Sequence, residues 1–589
     1  MQRFSTLVEA IEQVGIHHPE IGFTFQNMKG EEREYTFKEI ETVTQHRAAA
    51  LQQLGLTKGD RAGLVILEPE DFVLTFFAML RIGVVPVPLY PPVSLGNLDA
   101  YFDRTTRVLS DAQAKLIVAS GKLQNILYSL VDRIPTVTKL LRAEELHDAS
   151  GTPELPFIDP DDLAFLQYTS GSTSDPKGVM VTHRCLAANS HAIVGDHLGA
   201  RPEKGDVGVS WLPLYHDMGL IGFVIATYFY GMPVVFIPTL RFLRRPSCWL
   251  ETIHNHRGTI AFAPNFAYAL ATKKAKPADL EKWDLSCVRH LGCGAEPINP
   301  QCMDSFTNLF HEHCDLPKTA ILPAYGMAEA TLAISLKPVN EPMATNVVDA
   351  ETFQADGSVT PARTGETSIE HVSCGIPFPG HEVAVFTEQD ERLGEGREGE
   401  LCVSGPSITP GYFNNPEATE KTFRNGWLHT GDLGYILNGQ VYVTGRMKDL
   451  IILNGRNIHP QSVEWAVASI DGVRKGNVVA FSRPGPHSEE LIVALETREE
   501  ASPEFLASIR SAVQKELSVS LTDIVLLPVG ALPKTSSGKL QRRKTRSQYL
   551  QGTIGKEGLR SPGSTDRVKL ARHMAKGMWS RAKSAVLSR

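Results

Sequence analysis

The sequence predicts an α/β protein, with a large N-terminal body of sheets carrying packed helices, a small β-rich lobe, and a small α+β unit near the C-terminal end. Three observations predict it. Helical segments such as 37–54 and 72–82 alternate with short β-branched or apolar runs such as 62–66 and 84–87, the pattern of sheets covered by helices. Short alternating runs after residue 380, notably 398–403, read as strands of a separate lobe. Beyond residue 445 a compact stretch of about 100 residues carries its own helices (461–469, 503–517) and strands (477–481, 490–495).

The chain has 589 residues, 42% hydrophobic and 21% charged, so a sizeable core is assured. A net charge of −7 gives no reason to expect nucleic-acid binding. Eight cysteines without disulfide-like or Cys-x-x-Cys spacing fit reduced thiols in a cytoplasmic protein. Two groups, Cys287/His290/Cys293 and His311/His313/Cys314, invite a metal, but neither has structural-zinc spacing and core packing explains both. Leu7, Ala10, Ile11 and Val14 recur at helical spacing beside Glu9 and Glu12, an amphipathic helix rather than a signal peptide. The uncharged run 220–237 is long enough to cross a bilayer, yet Gly231 and Pro233 cut it into a buried helix, a turn and a core strand.

Residues 168–179 read Tyr-Thr-Ser-Gly-Ser-Thr-Ser-Asp-Pro-Lys-Gly-Val and follow an apolar strand-like run, Leu163 to Leu166. Such a loop can wrap an anion. Gly171 and Gly178 let the backbone turn its N–H groups toward a phosphate, Thr169, Ser170, Ser172 and Thr173 add hydroxyl donors, and Lys177 adds charge. A Walker loop needs glycine before its lysine and a hydroxyl after it; Pro176 and Gly178 occupy those places, which argues against a P-loop kinase or ATPase. The loop is expected in a strand-to-helix turn, where α/β folds bind ligands.

Four further strings carry chemistry. In Ser210 to Gly219, His216 sits between Tyr215 and Asp217; a lone histidine is usually a satisfied half-buried side chain, and the case for a site residue rests on the whole string. Gly292 to Pro297 and Pro323 to Thr331 each follow a strand-like run. In the second of these Tyr325 offers a flat face for a purine, Gly326 room for close approach to the backbone, and Glu329 a hard oxygen ligand for magnesium. In Trp427 to Gly434 a tight turn presents Asp432, a carboxylate suited to the two hydroxyls of a ribose or simply to stabilising the turn.

Taken in order, these strings resemble those of the AMP-forming adenylate synthetases (acyl ligases, peptide-synthetase adenylation domains, luciferases) and most closely the fatty acyl-AMP ligases. The resemblance covers residues 168–540 and includes Arg446 in Gly445 to Asp449 and Lys539 in Leu532 to Leu540. It implies an adenylation domain over residues 1–445, a mobile lid over 446–550 pivoting at Lys448, and ATP with Mg2+ as cofactors. Thr169, Ser170, Gly171, Ser172, Thr173 and Lys177 would cradle the ATP phosphates. Gly294, Ala295 and Glu296 would line one side of adenine, with Ala324, Tyr325, Gly326 and Met327 on the other, while Asp432 and Arg446 complete the nucleotide site. Glu329 and Thr173 would hold the metal. Trp211, His216, Met218 and Gly219 would meet the fatty acid, His216 lying where acyl carboxylate and phosphate join.

The implied reaction is attack by a fatty-acid carboxylate on the α-phosphate of ATP, giving acyl-AMP and pyrophosphate. A carboxylate with a reference pKa near 4 is ionised at neutral pH, so no general base is needed. Catalysis comes from placing two anions together and neutralising charge at the α-phosphate, with Lys539, Glu329 and His216 as the expected catalytic residues. Residues 340–375, poor in periodic pattern, suggest a long surface excursion. They resemble the insertion separating fatty acyl-AMP ligases from acyl-CoA ligases, which implies an acyl carrier protein, or a carrier domain of a polyketide synthase or peptide synthetase, as acceptor. CoA is the alternative acceptor, and both branches share the chemistry. An amino-acid adenylation domain would need an acidic side chain for the substrate ammonium, but residues 261–268 are apolar and suit an alkyl tail. Residues 551–589 fall outside the resemblance. They hold nine Lys or Arg against two acidic residues, with Val568, Ala571, Ala575, Met578, Ala582 and Val586 at helical spacing: a solvated tail, or a basic helix for an acidic carrier or a membrane surface.

Overall fold

The computed structural model describes residues 4–92, 98–169, 176–453, 455–485, 489–535 and 538–555. A nine-stranded sheet forms the middle of the N-terminal body. Six of its strands are parallel neighbours, in the order Ile321–Gly326, His290–Cys293, Ile260–Ala263, Gly208–Ser210, Val234–Phe236 and Gly22–Gln26. Parallel strands are covered on both faces, which is why Val234-Val235-Phe236 is apolar throughout rather than alternating. A second sheet pairs Val85–Pro88, Arg61–Val65, Leu116–Ala119 and Lys139–Arg142, all parallel. The helix Pro69–Arg81 is buried on nearly every side, and it starts with Pro69 and with acidic residues in its first turn, as a helix N-terminus favours.

The strands Leu163–Thr169 and Lys177–Thr182 pair antiparallel. A second strand and not the expected helix therefore follows Leu163–Thr169: β-branched Val179, Val181 and Thr182 continue as a strand, and the helix His183–Ser190 begins only after Thr182 caps it. Ser170, Gly171, Ser172 and Thr173 lie outside the described residues.

The β-rich lobe is an antiparallel sheet built on Glu382–Phe386, Gly399–Ser404, Trp427–Leu437 and Gln440–Arg446. The stretch expected to be an irregular excursion is instead a module on this lobe. Strands Thr345–Asp349 and Ser368–Val372 pair, and between them runs the helix Ala350–Asp356, capped by Asp349. Val348, Phe353 and Ile369 are buried against Tyr435 and Tyr442 of the lobe. Its apolar residues are too few and too widely spaced to show a period, so the sequence hid this core.

The C-terminal unit has its own sheet, Val473–Pro484, Glu489–Thr497 and Asp523–Leu527, with helices Pro460–Ala468 and Pro503–Leu517. Val463, Val493, Leu495, Ile509 and Val513 form its separate core. Among the described residues no helix is long and apolar enough to cross a membrane. The uncharged run divides into a π-helical turn Leu220–Ile225, a helix Ala226–Phe229, a turn at Gly231 (φ +61°) and the strand Val234–Phe236. The basic helix expected at 568–586 lies outside the described residues.

Candidate active site

The parallel strands end, at their C-terminal edge, on one long cleft, the place where such sheets bind ligands. Gly208–Ser210 delivers Trp211 to Asp217, His290–Cys293 delivers Ala295 and Glu296, and Ile321–Gly326 delivers Met327 and Glu329. The β-rich lobe supplies Asp432 and Arg446 to the same cleft, and the C-terminal unit supplies Lys539. Glycines permit this convergence. A Cβ on Gly294 would lie 2.7 Å from the carbonyl oxygen of Ala324, and one on Gly326 would collide with the carbonyl of Leu332. Glycine at 326 is therefore required by the close approach of the chain's own backbone.

Lys539 Nζ donates to the carbonyl oxygen of Ala295 at 2.8 Å. Ala295 has φ +71°, a left-handed conformation costly for a residue with a Cβ and one that clusters at functional sites. Burial holds Lys539 below the ordinary lysine value, opposed by the nearby carboxylates of Glu296 and Asp217. Burial, then the charges of Lys539 and Arg104, push His216 down to about 3, so its imidazole is neutral at physiological pH. Burial raises Glu296 and Asp217 above the usual carboxylate range.

Asp432 is gripped from two sides: Tyr325 Oη donates to Oδ2 at 3.1 Å and Arg446 Nε to Oδ1 at 3.1 Å. Asp432 lies within the strand Trp427–Leu437 and not in the tight turn the sequence suggested; Gly431 beside it has φ +70°, and Glu400 of the paired strand accepts the Gly431 N–H at 2.9 Å and contacts His429 Nδ1 at 2.9 Å. Cys402 Sγ lies 3.3 Å from the same nitrogen. Glu400, Cys402 and His429 are, among the described residues, the one group close enough to share a metal, yet these are hydrogen-bond separations that fix the strand carrying Asp432. Neither cysteine–histidine group singled out in the sequence gathers ligand atoms. Cys287 bonds the Gly258 carbonyl, Cys293 contacts Asn265 Oδ1, and His311 contacts the Leu316 carbonyl.

Glu329 is buried, and its Oε1 accepts from Tyr412 Oη at 2.7 Å. The same Tyr412 ring lies 4.5 Å from Lys177 Nζ. Burial raises the Glu329 carboxyl, and among the described residues it has no ion-pair partner. A buried carboxylate with one oxygen uncommitted to Tyr412 fits a magnesium ion, which takes one or two carboxylates and completes its shell with phosphate oxygens. Across the cleft, Lys448 is held below the ordinary lysine value by burial and then by Arg543, Lys177, Lys421 and Arg446. Cations close enough to depress one another suit a polyanion.

Thr169, Lys177, Trp211, His216, Ala295, Glu296, Ala324, Tyr325, Gly326, Met327, Glu329, Asp432, Arg446, Lys448 and Lys539 all line this cleft. Trp211 is 2% exposed and its ring stacks on Phe242 at 3.8 Å, so it forms part of the cleft floor. Gly219 is buried, and a Cβ there would press on the Pro213 carbonyl, so it lets a turn close. Met218 lines an apolar cavity beneath the cleft. Tyr412, Glu400 and Asp217 escaped the sequence reading as site residues. Asp217 stood inside a quoted string, but Tyr412 reaches Glu329 across 83 positions, and nothing in the order of residues signals that contact.

The model of the family described as AMP-binding enzyme matches residues 13–413. The chain is 32% identical to the medium-chain-fatty-acid acyl-carrier-protein ligase JamA of Moorena producens over 94% of this chain and 96% of that one. It is 32% identical to the long-chain-fatty-acid–AMP ligase FadD32 of Mycobacterium marinum, covering 90% and 91%. Among solved structures, one from a study of fatty acyl-adenylate ligases of E. coli and L. pneumophila superposes with a TM-score of 0.88 at 33% identity, covering 94% of this chain and 99% of that one. A fatty acyl-adenylate ligase from L. pneumophila in complex with acyl adenylate and pyrophosphate superposes at 0.71 with 29% identity, covering 93% and 96%.

Proposed function

The chain belongs to the AMP-binding enzyme family, in its fatty acyl-AMP ligase branch, and from that premise we propose that its cleft joins a fatty acid to the AMP portion of ATP, releases pyrophosphate, and passes the acyl group to the thiol of a carrier protein. The observation that carries the reading is Lys539, brought from the C-terminal unit to the Ala295 carbonyl between the adenine-side strand ends and His216.

In this reading Asp432, oriented by Tyr325 and Arg446, accepts the ribose hydroxyls. Lys177, Arg446 and Lys448 hold the triphosphate, together with the hydroxyls and N–H groups of the 169–173 loop. Glu329 and Thr173 would hold magnesium, which when bound supplies Lewis-acid charge neutralisation on phosphate oxygens. His216, whose proton affinity is lowered by burial and by Lys539 and Arg104, lies in the cleft beside the place where the carboxylate meets the α-phosphorus. Lys539 exchanges its bond to a neutral carbonyl for the oxygens on which charge accumulates as the P–O bond to pyrophosphate breaks. No side chain need remove a proton, because the attacking oxygen is already ionised. For transfer, Lys448 is the proposed pivot on which residues 446–550 withdraw Lys539 and open the acyl-adenylate to a thiol.

Incubation with ATP, magnesium and a panel of fatty acids, with and without CoA and a phosphopantetheinylated carrier protein, tests the proposal. Acyl-AMP that persists until the carrier is added supports it, whereas abundant acyl-CoA would assign the chain to the CoA-dependent alternative.

A further inference from the structure

Beneath the cleft an apolar cavity of about 90 Å3 shares Asp217, Ala295 and Tyr325 with the site just described. Its walls include two π-helical turns, His191–His197, which contributes Ile193 and Val194, and Leu220–Ile225, which contributes Gly222 and Phe223. A π turn is wider than an α turn, and such turns recur at functional sites. Here two of them face the same space.

Gly222 differs from the other glycines of the site. A Cβ on it would meet only Leu332 Cδ2, at 3.4 Å, an ordinary contact, and its φ is not in the left-handed region. At Gly294 and Gly326 a side chain would strike backbone; at Gly222 it would enter the cavity. The backbone therefore does not demand glycine at this position, and the consequence of having one is empty apolar volume next to the reacting atoms.

We propose that this cavity receives the end of the fatty acid and that Gly222 sets the length it accepts; the proposal rests on the acyl-ligase reading above. An apolar cavity of about 150 Å3 accommodates the six carbons of benzene, so one of this size takes roughly three or four. With the carbons nearest the carboxylate remaining in the cleft beside His216, the preferred acid is short to medium in chain length. Met218 and Met232, flexible thioethers in the lining, can shift enough to take one or two more.

The test is pyrophosphate release from ATP with straight-chain acids of four to sixteen carbons. The wild-type enzyme favours hexanoate or octanoate over hexadecanoate by roughly tenfold or more in kcat/KM, since a misfit of even one methylene in an apolar pocket is worth about that much. Gly222→Leu fills the cavity and lowers the octanoate-to-butyrate ratio of kcat/KM by roughly tenfold, and Met232→Ala deepens it and raises the decanoate-to-octanoate ratio. Should Gly222→Leu fail to fold, Gly222→Ala shifts the octanoate-to-butyrate ratio the same way by a smaller factor. A wild-type preference for hexadecanoate, or chain-length ratios that neither substitution moves, overturns the inference. If no fatty acid releases pyrophosphate, the acyl-ligase reading itself fails, which is a different result.

Discussion

Lys539 Nζ and the carbonyl oxygen of Ala295 meet at 2.8 Å across 244 positions of sequence. That contact joins the C-terminal unit to the end of a central strand, and it holds an amine whose charge burial already disfavours. Lys539→Ala lowers fatty-acid-dependent pyrophosphate release by roughly 10² to 10³, the usual consequence of removing one fixed donor from developing charge. Pyrophosphate release close to wild type in that variant would remove Lys539 from the chemistry.

Asp432 is poised by two donors, Tyr325 and Arg446, before any ligand arrives. Asp432→Asn keeps the shape but gives up a charge-assisted acceptor, worth about 1.5–3 kcal/mol. The KM for ATP should therefore rise roughly ten- to a hundredfold, with the KM for the fatty acid little changed, in steady-state kinetics that vary each substrate in turn. A change confined to the fatty acid would place the ribose elsewhere.

His183 is buried, and its Nδ1 accepts the Leu7 N–H at 3.2 Å, a bond that protonation at Nδ1 destroys. Burial pushes it down to about 4, against an unfolded value near 6.5, so between those limits the unfolded chain binds more protons than the folded one. Stability on this account rises with pH through that window and is lost as pH falls, by up to about 1.4 kcal/mol per pH unit for this one group. His183→Asn retains an acceptor but cannot ionise, and its unfolding free energy should drop between pH 7 and 5 by about 2 kcal/mol less than that of wild type. Equal drops in denaturant titrations at the two pH values would show that His183 is not the sensitive group.

The module at 345–372 grips the C-terminal unit. Arg456 donates to Gln354 of the module and to the carbonyls of Leu517 and Ser518 in its own unit, while Phe353 lies against His459. If rotation of residues 446–550 is what admits a thiol, Arg456→Met loosens the restraint and raises acyl-CoA formation relative to acyl-carrier formation by about threefold to tenfold, the value of about one hydrogen bond. An unaltered product ratio would leave the module no part in acceptor choice.

Much of this architecture could be read in the residues, for identifiable reasons. The helix Pro503–Leu517 matches its expected bounds because Ser502 caps it and Pro503 opens it, signals that act within a few positions. The cleft strings were recognisable because strand-end glycines and charged residues stand together in the chain. What stayed hidden depends on partners far away in sequence. The 340–375 stretch looked irregular because Phe353 finds its apolar surroundings in Tyr435 of another lobe. That a strand, Lys177–Thr182, and not a helix follows Leu163–Thr169 is not legible in the residues, because the pairing of Gln167 with Val179 is tertiary information. Tyr412 gave no sign of holding Glu329, and the π-helical turn at Leu220–Ile225 reads as ordinary apolar helix.

The nucleotide product formed in the presence of a fatty acid bears most directly on the whole reading. Incubated with ATP, magnesium and octanoate, the protein should yield one pyrophosphate per acyl-AMP, with AMP appearing as that mixed anhydride is consumed and with formation strictly dependent on the acid. Release of ADP and inorganic phosphate, or AMP formation indifferent to the acid, would contradict it.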